Sequence, residues 1–120
     1  MKTSITKICT FAAAHSLPGH QGKCRELHGH TYTLEVTVKG GVHSKGPAAG
    51  MVLDFADLER LMRRAVVDRL DHSHLNEVLD VVPTVEAIAG WAFARLTAQG
   101  LQVVRVRLWE SPTSYAEVTA

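Results

Sequence analysis

The chain has 120 residues, the size of one domain, with little room for a second independent core. Hydrophobic residues make up 46% and charged residues 21%, proportions that exclude a disordered or low-complexity chain. Thirteen Lys and Arg against twelve Asp and Glu leave a net charge of +1, so the long-range field that draws proteins to nucleic acid or anionic membrane is missing.

The opening MKTSITKICTFAAAH reads as neither a signal peptide nor a membrane span, because Thr and Lys interrupt its short apolar stretch. With only Cys9 and Cys24 and no secretory segment, the expected setting is reducing and cytoplasmic. From Ile5 to His15 the residues Ile5, Cys9, Phe11, Ala13 and His15 share a parity that Lys7 interrupts, which predicts a strand. Pro18, Gly19 and Gly22 mark a loop. Thr31 to Lys39 then alternates without a break, with Tyr32, Leu34, Val36 and Val38 on the apolar side of a second strand. Glycines and Pro47 make a further loop, which ends where Asp54 caps a helix expected to run to about Leu70. Its apolar stripe is Leu58, Leu61, Met62, Ala65 and Val66.

A linker containing DHSHLN and VVP follows, and Thr84 starts a second helix that Gly100 stops. Val104, Val106 and Leu108 alternate with Arg105, Arg107 and Trp109 in a third strand, and Ser114 to Val118 forms a short fourth. The order β-β-α-α-β-β predicts an α+β domain over residues 1–120, a four-stranded antiparallel sheet with two helices on one face. Such a sheet has two open edges, and oligomerisation is the expected way of covering them.

The chemistry concentrates in the seven histidines, six of which crowd residues 15–30 and 72–74. His28 and His30 are two apart at the entrance of a strand, so both point to its apolar side, and His15 ends the apolar parity of the neighbouring strand. Three histidines without a fourth protein ligand suit a catalytic Zn²⁺; a pair of exposed histidines is the plainer reading. Cys24, flanked by Lys23 and Arg25, is a candidate thiolate, a fourth metal ligand or a small apolar filler, and Cys9 fits the filler role better. Asp71 beside His72 is a proton-relay pair or an ordinary helix end. His74 is expected at the surface. Glu110 falls on the inward parity after Leu108, where either the strand frays or the carboxylate meets a ligand with donors such as the guanidine-like edge of a pterin or guanine.

Taken together, FAAAHSLPGHQGKCRELHGHTYTLEVTVKG, GMVLDFADL, LDHSHLN, PTVEAIAGW and WESPTSYAEV resemble the family of 6-pyruvoyltetrahydropterin and 6-carboxytetrahydropterin synthases, which share the tunnelling fold. The match is closer to the bacterial carboxy enzymes of queuosine (7-deazaguanine) biosynthesis and spans nearly the whole chain. The resemblance implies His15, His28 and His30 as zinc ligands, Cys24 as the catalytic cysteine, and Asp71 with His72 as the relay. It also implies Glu110 as the pterin anchor and places Thr84 in a segment of the pterin pocket. The implied reaction converts 7,8-dihydroneopterin triphosphate to 6-carboxy-5,6,7,8-tetrahydropterin, acetaldehyde and triphosphate. The alternatives are the pyruvoyl reaction, which stops after triphosphate elimination and internal rearrangement, and a non-catalytic zinc-stabilised binding module. The family assembles three sheets into a twelve-stranded barrel and stacks two trimers, with active sites between subunits. Two departures stand out: Ser111 where the carboxy enzymes often have Thr, and His74 at a position the motif leaves free.

Overall fold

The computed structural model describes residues 1–120. Two long strands, β1 (Thr3–His15) and β2 (His28–Gly40), pair antiparallel from Thr3 opposite Gly40 to His15 opposite His28. β3 (Val103–Ser111) lies against β2, and β4 (Ser114–Thr119) against β3, giving the sheet order β1-β2-β3-β4. Alternation works as expected on the first two strands. Cys9, Phe11, Ala13 and His15, with Tyr32, Leu34, Val36 and Val38, all turn to the buried side.

The helical layer begins at α1 (Phe55–Met62), where the Asp54 carboxylate accepts from the Ala56 amide at 2.8 Å. A π-helical segment, Arg63–Val67, continues it into α2 (Asp68–Leu70). Ala65, Val66 and Val67 are all buried in succession there, and the Ala65 carbonyl accepts a hydrogen bond from Arg95 Nε. A short α3 (Leu75–Val78) lies within the stretch expected to be linker. α4 (Val85–Ala98) is capped by Thr84, whose hydroxyl accepts from the Ala87 amide at 3.1 Å, and ends before Gly100 at φ 89°. Ile88, Ala89, Ala92 and Leu96 complete the core between helices and sheet.

Parity fails at one place. Thr37 pairs with Arg105 but Val38 with Val103, so a bulge leaves Val104 without a partner; Val103 takes the inward place expected of Val104. A second irregularity, between Trp109 and Ser111, falls at Glu110.

The edge of β1 is closed over part of its length. His72 donates its amide to the Ala12 carbonyl at 2.6 Å, and the Ala14 amide donates to the Ser73 carbonyl at 3.0 Å, so residues 72–74 lie along β1 like a short parallel strand. Leu75, fully buried, pins that segment to the core. The Thr3–Thr10 part of β1 and the outer side of β4 remain open edges. No helix is long and apolar enough to cross a membrane.

Candidate metal centre and active site

The β1–β2 register determines the site. His15 stands opposite His28, and His30 stands opposite Ala13, whose small side chain leaves the third imidazole space beside the first. The three rings meet edge to face with centroids 4.6–5.0 Å apart, and a ligand atom from each lies within 4.8 Å of the others.

Hydrogen bonds on the far side of two rings set their tautomers. His15 Nδ1 donates to the Pro83 carbonyl at 2.8 Å and His28 Nδ1 to the Glu26 carbonyl at 2.7 Å. Their Nε2 atoms therefore present lone pairs to one another at 3.0 Å, an arrangement that calls for a cation between them. His30 Nε2 is buried with no hydrogen-bond partner. Burial, above all, lowers the His30 pKa below the ordinary imidazole range; Glu110 opposes the shift and the two neighbouring histidines add to it. A neutral imidazole is the form that binds metal. The donor set thus fits a Zn²⁺-type ion with an open position, since the convergent ligand atoms are three imidazoles and do not include the Cys24 sulfur.

Two further groups surround the rings. Glu110 Oε2 lies 3.9 Å from His15 Nε2, with the side chain partly exposed, so its carboxylate faces the mouth of the cluster as the inward parity predicted. Tyr32, fully buried, places its hydroxyl 3.4 Å from His15 Nδ1; burial first, and Glu110 second, hold the phenol well above its ordinary range. Pro83 and Glu26 act through backbone carbonyls, which side-chain patterns do not reveal, whereas Tyr32 was legible as the inward residue after His30.

Cys24 sits in a 3-10 turn, Lys23–Arg25, whose position is held by the Leu17 amide donating to the Cys24 carbonyl at 2.7 Å. It is half-buried and shares with His28 and His30 the wall of an open cavity of about 800 Å³. Lys23 lines the same cavity, and neither Lys23 nor Arg25 enters an ion pair.

The other expected pair lies elsewhere. Asp71 accepts from the Ala12 amide through Oδ1 at 3.0 Å and meets His72 Nδ1 through Oδ2 at 2.9 Å. The Ala12 bond, then the His72 bond, holds the Asp71 carboxyl below the usual carboxylate range. His72 has φ 58°, a left-handed backbone that turns its 83% exposed ring away from the core. It lines a second cavity, about 470 Å³, together with Ala12, Ala14, Gly29 and His30. Within one chain, then, Cys24 and His72 open onto different cavities that have His30 in common. Thr84 lines neither cavity; it caps α4 next to Pro83, and so lies one residue from the carbonyl that holds His15.

His74 departs from the surface position expected of it. Its bridge to Ala14 draws it against β1, its Nε2 is buried without a partner, and Nδ1 is 3.5 Å from Glu77.

Comparison with known proteins points to one family and one fold. The family model described as 6-pyruvoyl tetrahydropterin synthase matches residues 4–120. A 6-carboxy-5,6,7,8-tetrahydropterin synthase of Haemophilus influenzae is 37% identical over 94% of this chain and 96% of its own length. A dihydroneopterin monophosphate aldolase of Pyrococcus furiosus is also 37% identical, over 92% of this chain and 91% of its own. Among solved structures, the 6-pyruvoyl tetrahydropterin synthase of Caenorhabditis elegans superposes with a TM-score of 0.86 at 26% identity, covering 100% of this chain and 96% of that one.

Proposed function

Because the chain belongs to the 6-pyruvoyl tetrahydropterin synthase family and is a pterin-processing lyase, we propose that it acts on 7,8-dihydroneopterin triphosphate with a bound Zn²⁺. With one water consumed, the products are 6-carboxy-5,6,7,8-tetrahydropterin, acetaldehyde and triphosphate, as in queuosine (7-deazaguanine) biosynthesis, in the cytoplasm. The observation that carries the reading is the convergence of three imidazole nitrogens beside a cavity that also holds Cys24.

His15, His28 and His30 would hold the metal, which when bound supplies a Lewis acid that acidifies C–H bonds next to the substrate hydroxyls. Glu110 accepts the 2-amino and N3–H donors of the pterin and so holds the side chain of the substrate over the histidines. Cys24, as thiolate, removes a proton from that side chain. His72, oriented through Nδ1 by Asp71, carries protons to and from the reacting oxygen and carbon through Nε2. Thr84 belongs to the segment that closes the pterin pocket, and Lys23 with Arg25 meets the triphosphate.

One chain does not bring His72 to Cys24, so the working site includes a neighbouring subunit. The open edges of β1 and β4 supply the means of assembly, as a barrel of three sheets and a stacked pair of trimers. The test is to incubate the zinc-loaded protein with 7,8-dihydroneopterin triphosphate and identify products by mass spectrometry. Carboxytetrahydropterin with acetaldehyde is expected. Pyruvoyltetrahydropterin alone would assign the pyruvoyl reaction, and no turnover with zinc bound would leave a binding module. Dihydroneopterin monophosphate belongs in the same assay because one relative is named for cleaving it.

A further inference from the structure

The proposed chemistry uses Asp71 and His72 of the DHSHLN segment and leaves Asn76 without a role. Asn76 makes two hydrogen bonds to one residue: its Oδ1 accepts from the Ser16 amide at 2.9 Å, and its Nδ2 donates to the Ser16 carbonyl at 2.9 Å. Ser16 directly follows His15 and shares the parity of Ala12 and Ala14, whose backbone groups face the outer edge of β1 and bond residues 71–73 there, but beyond Ser73 that segment offers no further backbone partner. The side chain of Asn76 thus replaces the missing strand neighbour, satisfying both backbone groups that flank the exit from the metal site. Asp71, five residues before Asn76, accepts from the Ala12 amide, so the segment is tied to β1 at both of its own ends.

The consequence for His15 is geometric. Its ring is buried, and its Nδ1 bond to Pro83 requires the end of β1 to lie at one distance from the start of α4. Freed from Asn76, the backbone at Ser16 would fray as strand ends do, and the His15 ring would lose a fixed origin for its Nε2. Resting on the metal reading above, we infer that Asn76 is a positioning residue for the metal centre, acting through Ser16 on His15. It makes the segment that carries His72 and the strand that carries His15 one mechanical unit. Outer groups that orient a metal-bound imidazole typically change affinity by 10- to 100-fold.

The experiment is competitive Co²⁺ titration of the full chain, read by its visible spectrum, with thermal midpoints of the metal-free proteins measured alongside. Asn76→Ala is expected to weaken Co²⁺ binding about tenfold or more and to alter the spectrum, while Ser73→Ala retains both. Ser73→Ala is the control because its hydroxyl bonds only the Leu70 carbonyl within the same segment. Unchanged Co²⁺ affinity and spectrum in Asn76→Ala, whatever its melting point, would overturn the inference, as would equal weakening in Ser73→Ala. Should Asn76→Ala not fold, Asn76→Asp retains an acceptor for the Ser16 amide and loses the donor. Its added negative charge by itself favours a cation, so weaker binding there supports the positioning role, and equal or tighter binding overturns it. A wild-type chain that bound no Co²⁺ would instead remove the metal reading, and this inference with it.

Discussion

The Nε2 atoms of His15 and His28 stand 3.0 Å apart, with both rings held from behind by backbone carbonyls. Two nitrogens bound to one tetrahedral zinc at about 2.05 Å would be roughly 3.3 Å apart, so the rings need only a few tenths of an ångström to accept the ion. Metal at a hundredfold excess over its Kd should therefore stabilise the protein by about 2.7 kcal/mol and raise Tm by roughly 10 °C. His28→Ala should lose that shift. Calorimetry with zinc and with chelator checks it; a wild-type Tm indifferent to both would count against the three-histidine centre.

Cys24 faces the same cavity as two of those rings but contributes no atom to the convergent set. Cys24→Ala should accordingly bind zinc as the parent does and lose about 10²- to 10⁴-fold in kcat. Inductively coupled plasma measurement of bound metal, beside the turnover assay, separates the roles. Loss of metal together with activity would make Cys24 a ligand.

The proposed role of Glu110 is to hold the pterin rather than the metal. Glu110→Gln turns one acceptor into a donor facing the donors of the pterin, which should lower kcat/KM by about 10- to 100-fold. The Co²⁺ spectrum of the substrate-free protein should not change. Parent values for both kcat and KM would remove the anchor role.

These roles were legible to different depths in the sequence. Parity alone put His15, His28, His30, Tyr32 and Glu110 on one side, because a strand has period two and antiparallel register does the rest. It failed at Val104, since a bulge costs no recognisable residue type and shifts everything before it. The short edge pairing of residues 72–74 was invisible because the bonds of this region to β1 run partly through the flanking Asp71 and Asn76 side chains, with no alternating pattern. The resemblance gave Thr84 its expected place and chose the relay over the helix-end reading of Asp71 and His72, whereas the separation of His72 from Cys24 within one chain follows from packing between distant segments, which no local pattern records.

Asp71 makes stability depend on acid. Its folded pKa is depressed below the ordinary value of 3.8, chiefly by the Ala12 amide and then by His72, so the stabilisation is fully present above that value. It is lost as pH falls from there through the folded pKa. Asp71→Asn keeps an acceptor for Ala12 and removes the titration, so its urea midpoint should fall less steeply below about pH 4 than that of the parent. Because the carboxylate is exposed, solvent screening keeps the difference small. Parallel acid limbs for the two proteins would show that Asp71 does not carry this linkage.

If a working site combines Cys24 of one chain with His72 of another, two inactive variants should repair each other. Cys24→Ala and His72→Ala each damage every site in their own homo-oligomer. In a mixed oligomer assembled from equal amounts, a site draws Cys24 and His72 from independent chains, and about a quarter of the sites receive both intact groups. Co-expression, or mixing followed by refolding, should therefore recover roughly a quarter of parent activity, and the recovery should follow the product of the two chain fractions as their ratio is varied. The exposed ring of His72 and its separate cavity are what motivate this test. Were Cys24 and His72 to act within one chain, every subunit of the mixture would still lack one group, and activity would stay at the average of the two parents at any ratio.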